Sequence, residues 1–478
     1  MLFNSFDFAV FLPVVYLLYW FVFNRNIALR NVFLLVASYT FYGFWDWRFI
    51  PLIVVSSATD FFIGQLLQKI TDAKKRKILF IISIFVNLSI LGFFKYYNFF
   101  VGSFVDAFSL FGMSFNYSPL NIILPVGISF YTFQSMGYIF DIYKRKTVPT
   151  SKIIDFCAFV SFFPQLVAGP IERASHLLPQ FSKIMKFDYH ETRSGLLMIT
   201  FGLFKKIVIA DRLAVFVDAV YGNAATACAS VITVAAVFFA FQLYFDFSAY
   251  SDIAIGTARI LGFKLSANFR RPYLSASFAE FWARWHISLS SWFRDYVYIP
   301  LGGNRRGSRR TIINVAIVFA LSGLWHGASW NFFFWGLMNA FFMICIDRWL
   351  SLQRSEGLKR ALSPVLVFAC WALSLVFFRV PGLADAVAVF KSIGWTGAES
   401  FYDYGLLAAE FKFAVYLLVG MTVYEIATER NSERLQKLFY SRNFAFVRFS
   451  VYLILIFAIV YLGSYGAAND NSFIYFQF

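Results

Sequence analysis

The sequence predicts an all-α polytopic membrane bundle of about 11–12 transmembrane helices, supplemented by re-entrant or amphipathic helices. Three observations carry this. Of 478 residues, 60% are hydrophobic, 65 are Phe and only 14% are charged, against about 25% charged in ordinary soluble domains. Apolar runs of ~20 residues, enough to cross a ~30 Å hydrocarbon core, recur along the chain. Lys and Arg gather in alternate loops between those runs. A soluble globular chain is excluded, and residues 1–478 read as a single integral-membrane domain. The net charge of +16 would suggest nucleic acid on a soluble protein. Here its cations fall between oily runs, where they set topology and meet anionic lipid headgroups.

The first run, residues 7–23, lies within MLFNSFDFAVFLPVVYLLYWFVF. It has no basic residue ahead of it and no small-residue cleavage site, so it reads as a retained span and not a signal peptide. Further spans fall at 28–45, 49–69, 78–98 and 121–142, and a run at 153–169 ends at AGP. Arg25 and Arg30 separate the first two spans. Lys74, Lys75, Arg76 and Lys77 separate the third and fourth, and Lys144, Arg145 and Lys146 follow the fifth. The alternate loops, around 46–48 and 100–120, are poor in Lys and Arg. This alternation predicts cytoplasmic basic loops and an extracytoplasmic N-terminus.

The centre is less regular. Residues 195–220 and 228–260 are apolar but interrupted by Lys205, Lys206, Asp211, Arg212, Asp246 and Asp252. Residues 261–310 contain FAEFWARWHISLSSWFRDYVYIPLGGNRRGSRR, too charged to face lipid. Such a composition fits short helices buried in protein at membrane depth. The basic loops 143–152 and 304–310 flank three candidate segments. If both loops are cytoplasmic, the number of crossings between them is even, so at least one segment does not cross. Spans resume at 311–327, 330–347, 361–380, 410–428 and 446–463, giving roughly twelve crossings and an external C-terminus. No internal repeat is evident, which argues against common transporter folds.

Four cysteines, Cys157, Cys228, Cys345 and Cys370, form no CxxC pair and have no His at zinc-finger spacing. They read as buried thiols that pack as small hydrophobes, with neither disulfide nor metal. Of the four histidines, His176 and His190 lie in the polar stretch IERASHLLPQFSKIMKFDYHETR and read as solvated or interfacial. His286 and His326 each follow a tryptophan, Trp285 and Trp325, in segments expected at membrane depth. An ionisable group there is costly and marks a functional site by default. Its competing role is a hydrogen bond to a neighbouring helix.

If the 311–327 span is helical to its end and beyond, Ser322, Gly323 and Ser329 share a face with His326 and leave space beside the ring. His326 lies 16 residues past Arg310, or ~24 Å along a straight helix, nearer the outer surface than the cytoplasm. Imidazole titrates near neutrality and can take a proton from a hydroxyl that attacks an acyl carbonyl. Ser322 and Ser329 could act as nucleophiles, but helical serines more commonly bond their own backbone. In FQLYFDFSAYSDIAIGTARILG, residues 241–262, Asp246, Ser248, Ser251 and Asp252 read as structural or channel-lining, and the two acids do not read as a glycosidase pair. LGGNRRGSRR reads as a turn carrying topology-setting charges, with a phosphate cradle as the other reading; it lacks the P-loop pattern.

Seven stretches in chain order carry a resemblance: MLFNSFDFAVFLPVV, LPVGISFYTFQSMGYIFDIYK, FFPQLVAGPIERASHLLPQ, YFDFSAYSDIAIGTARILGF, FWARWHISLSSWFRDYVYIPLGGNRRG, LSGLWHGASWNFFFWG and FIYFQF. The sequence resembles the membrane-bound O-acyltransferase family, in its bacterial polysaccharide O-acetyltransferase branch, typified by an alginate O-acetylation membrane protein. The resemblance implies a helical bundle with a central tunnel in the bacterial inner membrane. It makes His326 of the WHG element the catalytic base, with His286 of the RWH element as its second signature residue. Acetyl-CoA is implied as donor, with no bound cofactor. A periplasmic or surface acetyl-transfer protein and an extracellular polysaccharide, as in alginate biosynthesis, are the implied partners. Trp325, Ser322, Ser329, Asp246 and Arg294 are candidates to line the donor passage. D-alanyl transfer to teichoic acid is a neighbouring activity within the family. Outside it stand two rivals: a polysaccharide transporter or flippase using the histidines as a proton relay, and a structural scaffold for an export complex.

Overall fold

The structure, a computed structural model, describes residues 1–113, 115, 117–223, 227–352, 357–392, 400–465 and 473–474. The last four residues of FIYFQF, 475–478, lie outside the described residues. Among the described residues the secondary structure is helical, with no strand, and the chain divides into two compact units. One comprises Met1–Gly195, Ala254–Ser266 and Gly327–Ser329; the other comprises Leu196–Ile253, Ala267–His326 and Trp330–Phe478.

Eight helical runs among the described residues are long and apolar enough to cross a membrane. This multi-pass character agrees with the sequence, while the count is lower than the crossings expected, and the expected span at 311–327 is a 19-residue helix, Ser308–His326, that is not among the eight. The run Ile27–Lys69 is 43 residues long and holds two expected spans, joined through a 3-10 turn at Trp47–Phe49. The expected span at 121–142 is a helix only 16 residues long, Ile128–Tyr143. That at 153–169 stops after nine, Ile153–Ser161. Residues 195–220 are helical throughout but carry five charges, and among the three central segments only Ala229–Ile260 qualifies.

In the first unit Ile128–Tyr143 is the inner helix, with nearly every residue buried, and it packs on Ile50–Lys69 and Ala73–Leu91. A carboxylate tolerates burial here because neutral donors surround it. Asp60 accepts from Ser83 Oγ at 2.5 Å, Asn87 Nδ2 at 2.9 Å and Ser135 Oγ at 2.5 Å, which ties the three helices together. Arg76, expected as a loop cation, is instead buried in the first turn of Ala73–Leu91. Its guanidinium donates to the carbonyls of Leu67, Ile70 and Tyr143. Those carbonyls lie at or beside the C-terminal ends of two helices, where backbone acceptors lack intrahelical partners.

The second unit has an aromatic core. Phe281, Trp282, Trp285, Trp335 and Trp371 contact one another in a chain of edge, tilted and stacked pairs. Beside it runs Ala229–Ile260, whose 32 residues extend ~47 Å. Its acids, Asp246 buried and Asp252 half-buried, are paired with Lys206 and Lys205 from the π-helical turn Phe204–Ala210. Lys206 Nζ lies 2.6 Å from Asp246 and 2.8 Å from Asp211, and Lys205 lies 2.8 Å from Asp252. The polar 261–310 segment folds as expected from its composition, into two seven-residue helices, Phe278–Arg284 and Ile287–Phe293, with their aromatic faces inward.

Candidate active site

Two local structures present the two tryptophan-flanked histidines. Phe278–Arg284 starts at Ser277, whose hydroxyl accepts from Glu280 N at 3.1 Å. The Asp347 carboxylate accepts from Phe278 N at 2.6 Å and Ala279 N at 2.8 Å, filling orphan donors at a positive helix end. The helix stops at Trp285, which is extended, and His286 follows in the left-handed conformation, φ 42° and ψ 52°. That costs a non-glycine residue about 1–2 kcal/mol. The break turns the histidine ring away from the helix it precedes, toward Phe247, 4.7 Å away between centroids and edge-on.

The helix Ser308–His326 presents the other ring from its last residue. It runs back against Trp330–Phe341 with glycine facing backbone on both sides. A Cβ on Gly323 would collide with the Phe332 carbonyl, and one on Gly336 with that of Phe319. The space expected beside His326 is therefore not where the sequence suggested. Gly323 is spent on close helix packing, and the ring is bordered by Trp325 at 5.0 Å, Trp335 at 5.2 Å and Phe378 at 5.5 Å. Ser329 leaves the proposed face for a related reason. The helix ends at His326, and Ser329 N bonds Gly327 O at 3.0 Å in the turn that follows.

These two structures meet. The rings of His286 and His326 are 6.3 Å apart between centroids, and Trp325 is 5.7 Å from His286. His286 is fully buried and His326 is 5% exposed. At this separation the rings are beyond direct hydrogen-bond reach, and one intervening reacting atom could touch both. The other two histidines are elsewhere and exposed, His176 beside Glu172 and His190 at the start of a helix.

A cavity of about 390 Å³ adjoins the pair's supporting elements, lined among others by Trp282, Ile287, Arg294, Tyr298, Phe319 and Ser322. Ser322 is one turn before His326, and Ile287 directly follows His286. The Arg294 side chain is 62% exposed and pairs with Asp295 at 2.8 Å, so it reaches the cavity from the protein surface. Asp246 is held apart in its own network. Besides Lys206, its Oδ2 accepts from Ile474 N at 2.7 Å, and Lys206 stands over the Phe473 ring at 4.7 Å. The adjacent residue, Phe247, faces His286 instead, because successive helical side chains point about 100° apart. The four cysteines are free thiols. Cys345 is exposed on an apolar helix, against the expectation of burial, because an oily solvent favours apolar groups on the surface as well as inside. No group of three His, Cys, Asp or Glu that could hold a metal occurs among the described residues.

Sequence reading missed three residues of this neighbourhood: Phe247, Phe378 and Asn268. The two phenylalanines carry no signal among 65. Asn268 stands out in retrospect as an amide in the turn-rich stretch SANFRRPY, between a helix end and the aromatic segment.

Residues 144–382 match the family model described as MBOAT, membrane-bound O-acyltransferase family. The chain is 38% identical over 407 residues to the "Probable alginate O-acetylase AlgI" of Pseudomonas aeruginosa, covering 83% of this chain and 74% of that protein. It is 34% identical over 443 residues to the peptidoglycan O-acetyltransferase of Helicobacter pylori, covering 86% and 83%. A teichoic acid D-alanyltransferase of Streptococcus thermophilus matches at 28% over 243 residues, 48% of this chain and 58% of the relative. With the membrane helices already described, these similarities decide for an enzyme over a transporter or scaffold: the chain belongs to the membrane-bound O-acyltransferase family.

Proposed function

We propose that the chain moves an acetyl group from acetyl-CoA, entering on the cytoplasmic side, to a hydroxyl of an extracytoplasmic polysaccharide. It would do so as one integral domain of a bacterial inner membrane, N-terminus outside, with a periplasmic or surface protein completing delivery. The observation that carries the chemistry is the burial of His286 and His326 with their rings 6.3 Å apart. Acetyl is favoured over D-alanyl because the O-acetylating relatives match over most of the chain, and the D-alanyltransferase over about half.

In this reaction neutral His326 takes the proton of the incoming hydroxyl. The oxygen bonds the acetyl carbonyl carbon, the carbon–sulfur bond breaks, and the thiolate leaves with the proton returned by the imidazolium. General base action of this kind is worth roughly 10²–10⁴-fold, and orientation in a closed site supplies more. His286 orients the base or contacts the acyl group. Trp325 and Trp335 wall the ring and limit water, which would hydrolyse the thioester. The cavity beside Ser322, with Arg294 at its surface end, suits the thioester arm.

The test is His326→Ala in the full chain, expressed with its native partners, reading acetyl ester on the surface polymer and thiol release from acetyl-CoA in isolated membranes. Loss of at least a hundredfold at normal protein level is expected. Near-normal turnover would overturn the assignment.

A further inference from the structure

The left-handed backbone at His286 raises the question of what holds it. A helix N-cap residue is ordinarily extended, and its own side chain accepts from the first free N–H groups. His286 occupies the N-cap position of Ile287–Phe293 and makes no such bond. The cap comes from another segment. The carbonyl of Asn268 accepts from Ile287 N at 3.0 Å. Asn268 Oδ1 accepts from Ser288 N at 3.2 Å and from Ser288 Oγ at 2.9 Å. The first two amides of the helix are thus satisfied by one residue eighteen positions before His286. Asn268 is itself 1% exposed. Its remaining amide donor goes to Ser251 Oγ at 3.3 Å, on Ala229–Ile260. Ser251 is one helical turn beyond Phe247, the residue whose ring meets the His286 ring. One helix therefore holds His286 twice, by its ring through Phe247 and by its backbone through Ser251, Asn268 and Ser288.

The geometry points to Asn268 as a positioning residue of the acyl transfer: it caps the helix after His286 in place of His286, which frees the imidazole to face His326. This rests on the functional reading of the two histidines. Asn268 touches no reacting atom; it acts by fixing where the His286 ring stands.

The experiment is a double-mutant cycle in membranes containing the full chain, with acetyl-CoA as the probe, measuring the initial rate of thiol release together with the thermal midpoint. Asn268→Leu is expected to lower kcat about thirtyfold with KM for acetyl-CoA within about twofold. Asn268→Asp, which keeps the acceptor, should recover most of that rate. In a His286→Ala background Asn268→Leu should cost less than about threefold more, since its effect runs through the missing ring. Should Asn268→Leu not accumulate, Ser251→Ala releases only the far tether and should lower kcat about threefold alone and not at all beside His286→Ala. Equal losses in both backgrounds, or a KM effect with kcat intact, overturn the positioning role while leaving the histidine chemistry standing. Unchanged turnover in His286→Ala itself overturns both.

Discussion

Gly323 faces the backbone carbonyl of Phe332 across a helix pair with no room between them for a side chain, and Gly336 meets Phe319 in the same way. The WHG histidine sits three residues beyond this contact, so its position depends on two missing Cβ atoms. Gly323→Ala forces the helices apart and should lower stability by about 1–3 kcal/mol, the usual cost of overpacking. Acetyl transfer should fall by more than the loss of folded protein accounts for. Thermal unfolding in detergent and specific activity on the same preparation check this. An unchanged midpoint would show that the helices separate freely.

The cavity gives a prediction that separates access from folding. Ser322→Leu adds bulk to its wall one turn from His326, where the present serine leaves space. The thermal midpoint should hold, while transfer from acetyl-CoA drops at least about tenfold, through a closed passage rather than a displaced base. Ser322→Ala, which removes only a hydroxyl, should stay within about threefold of the parent. A large loss in the alanine variant would instead make the hydroxyl a participant.

Lys206 between Asp211 and Asp246 is a buried charge cluster, and removing one partner of such a cluster strands the rest. Lys206→Met should destabilise by about 3–5 kcal/mol, seen as a lost fraction of folded protein in the membrane. Adding Asp246→Leu should restore part of it by withdrawing one stranded carboxylate. Any protein that folds should retain His326-dependent turnover, since Asp246 is engaged with Lys206 and Ile474.

A pH effect is expected at His176, which lies outside the candidate spans. The hydrogen bond that His176 Nδ1 donates to the Glu172 carboxylate, at 2.7 Å, raises the imidazole pKa above its ordinary value, against a smaller downward effect of partial burial. A raised folded-state pKa stabilises fully below the unfolded value of about 6.5 and is lost as pH climbs through the folded value. The thermal midpoint of the parent should therefore exceed that of His176→Gln most at pH 6, with the gap closing above neutrality. A gap that widens with pH would reverse the sign and exclude the pair. Because the ring is partly exposed, the effect is small.

Much of this was legible in the sequence for physical reasons. Apolar length reports a membrane bundle because lipid tolerates little else. A histidine in SGLWHGASW is conspicuous because charge is scarce there. What was hidden depends on partners distant in sequence. Lys206 and Asp246 are forty residues apart, and only their pairing turns two buried charges into a structural tie. Gly323 could be read as empty space or as a helix contact until the opposing carbonyl of Phe332 was known. Ser329 was placed on a helical face by spacing, but the chain turns at Gly327 before that spacing applies. Arg76 sat in a basic run that signals topology, yet its guanidinium finds backbone carbonyls at the ends of two helices. Asn268 stood out only as an amide in a turn-rich stretch, since the helix it caps starts nineteen residues later.

The backbone at His286 suits glycine better than histidine, and under the proposed role of its ring this sets stability against activity at one position. Exchanging the residue for glycine should give a protein that folds more readily and turns over less. A population selected only for yield in the membrane would drift toward that exchange. Retaining the imidazole therefore requires continued selection for the ester product, and a relative with glycine at this position would be a candidate for a protein that has kept the scaffold and given up the reaction.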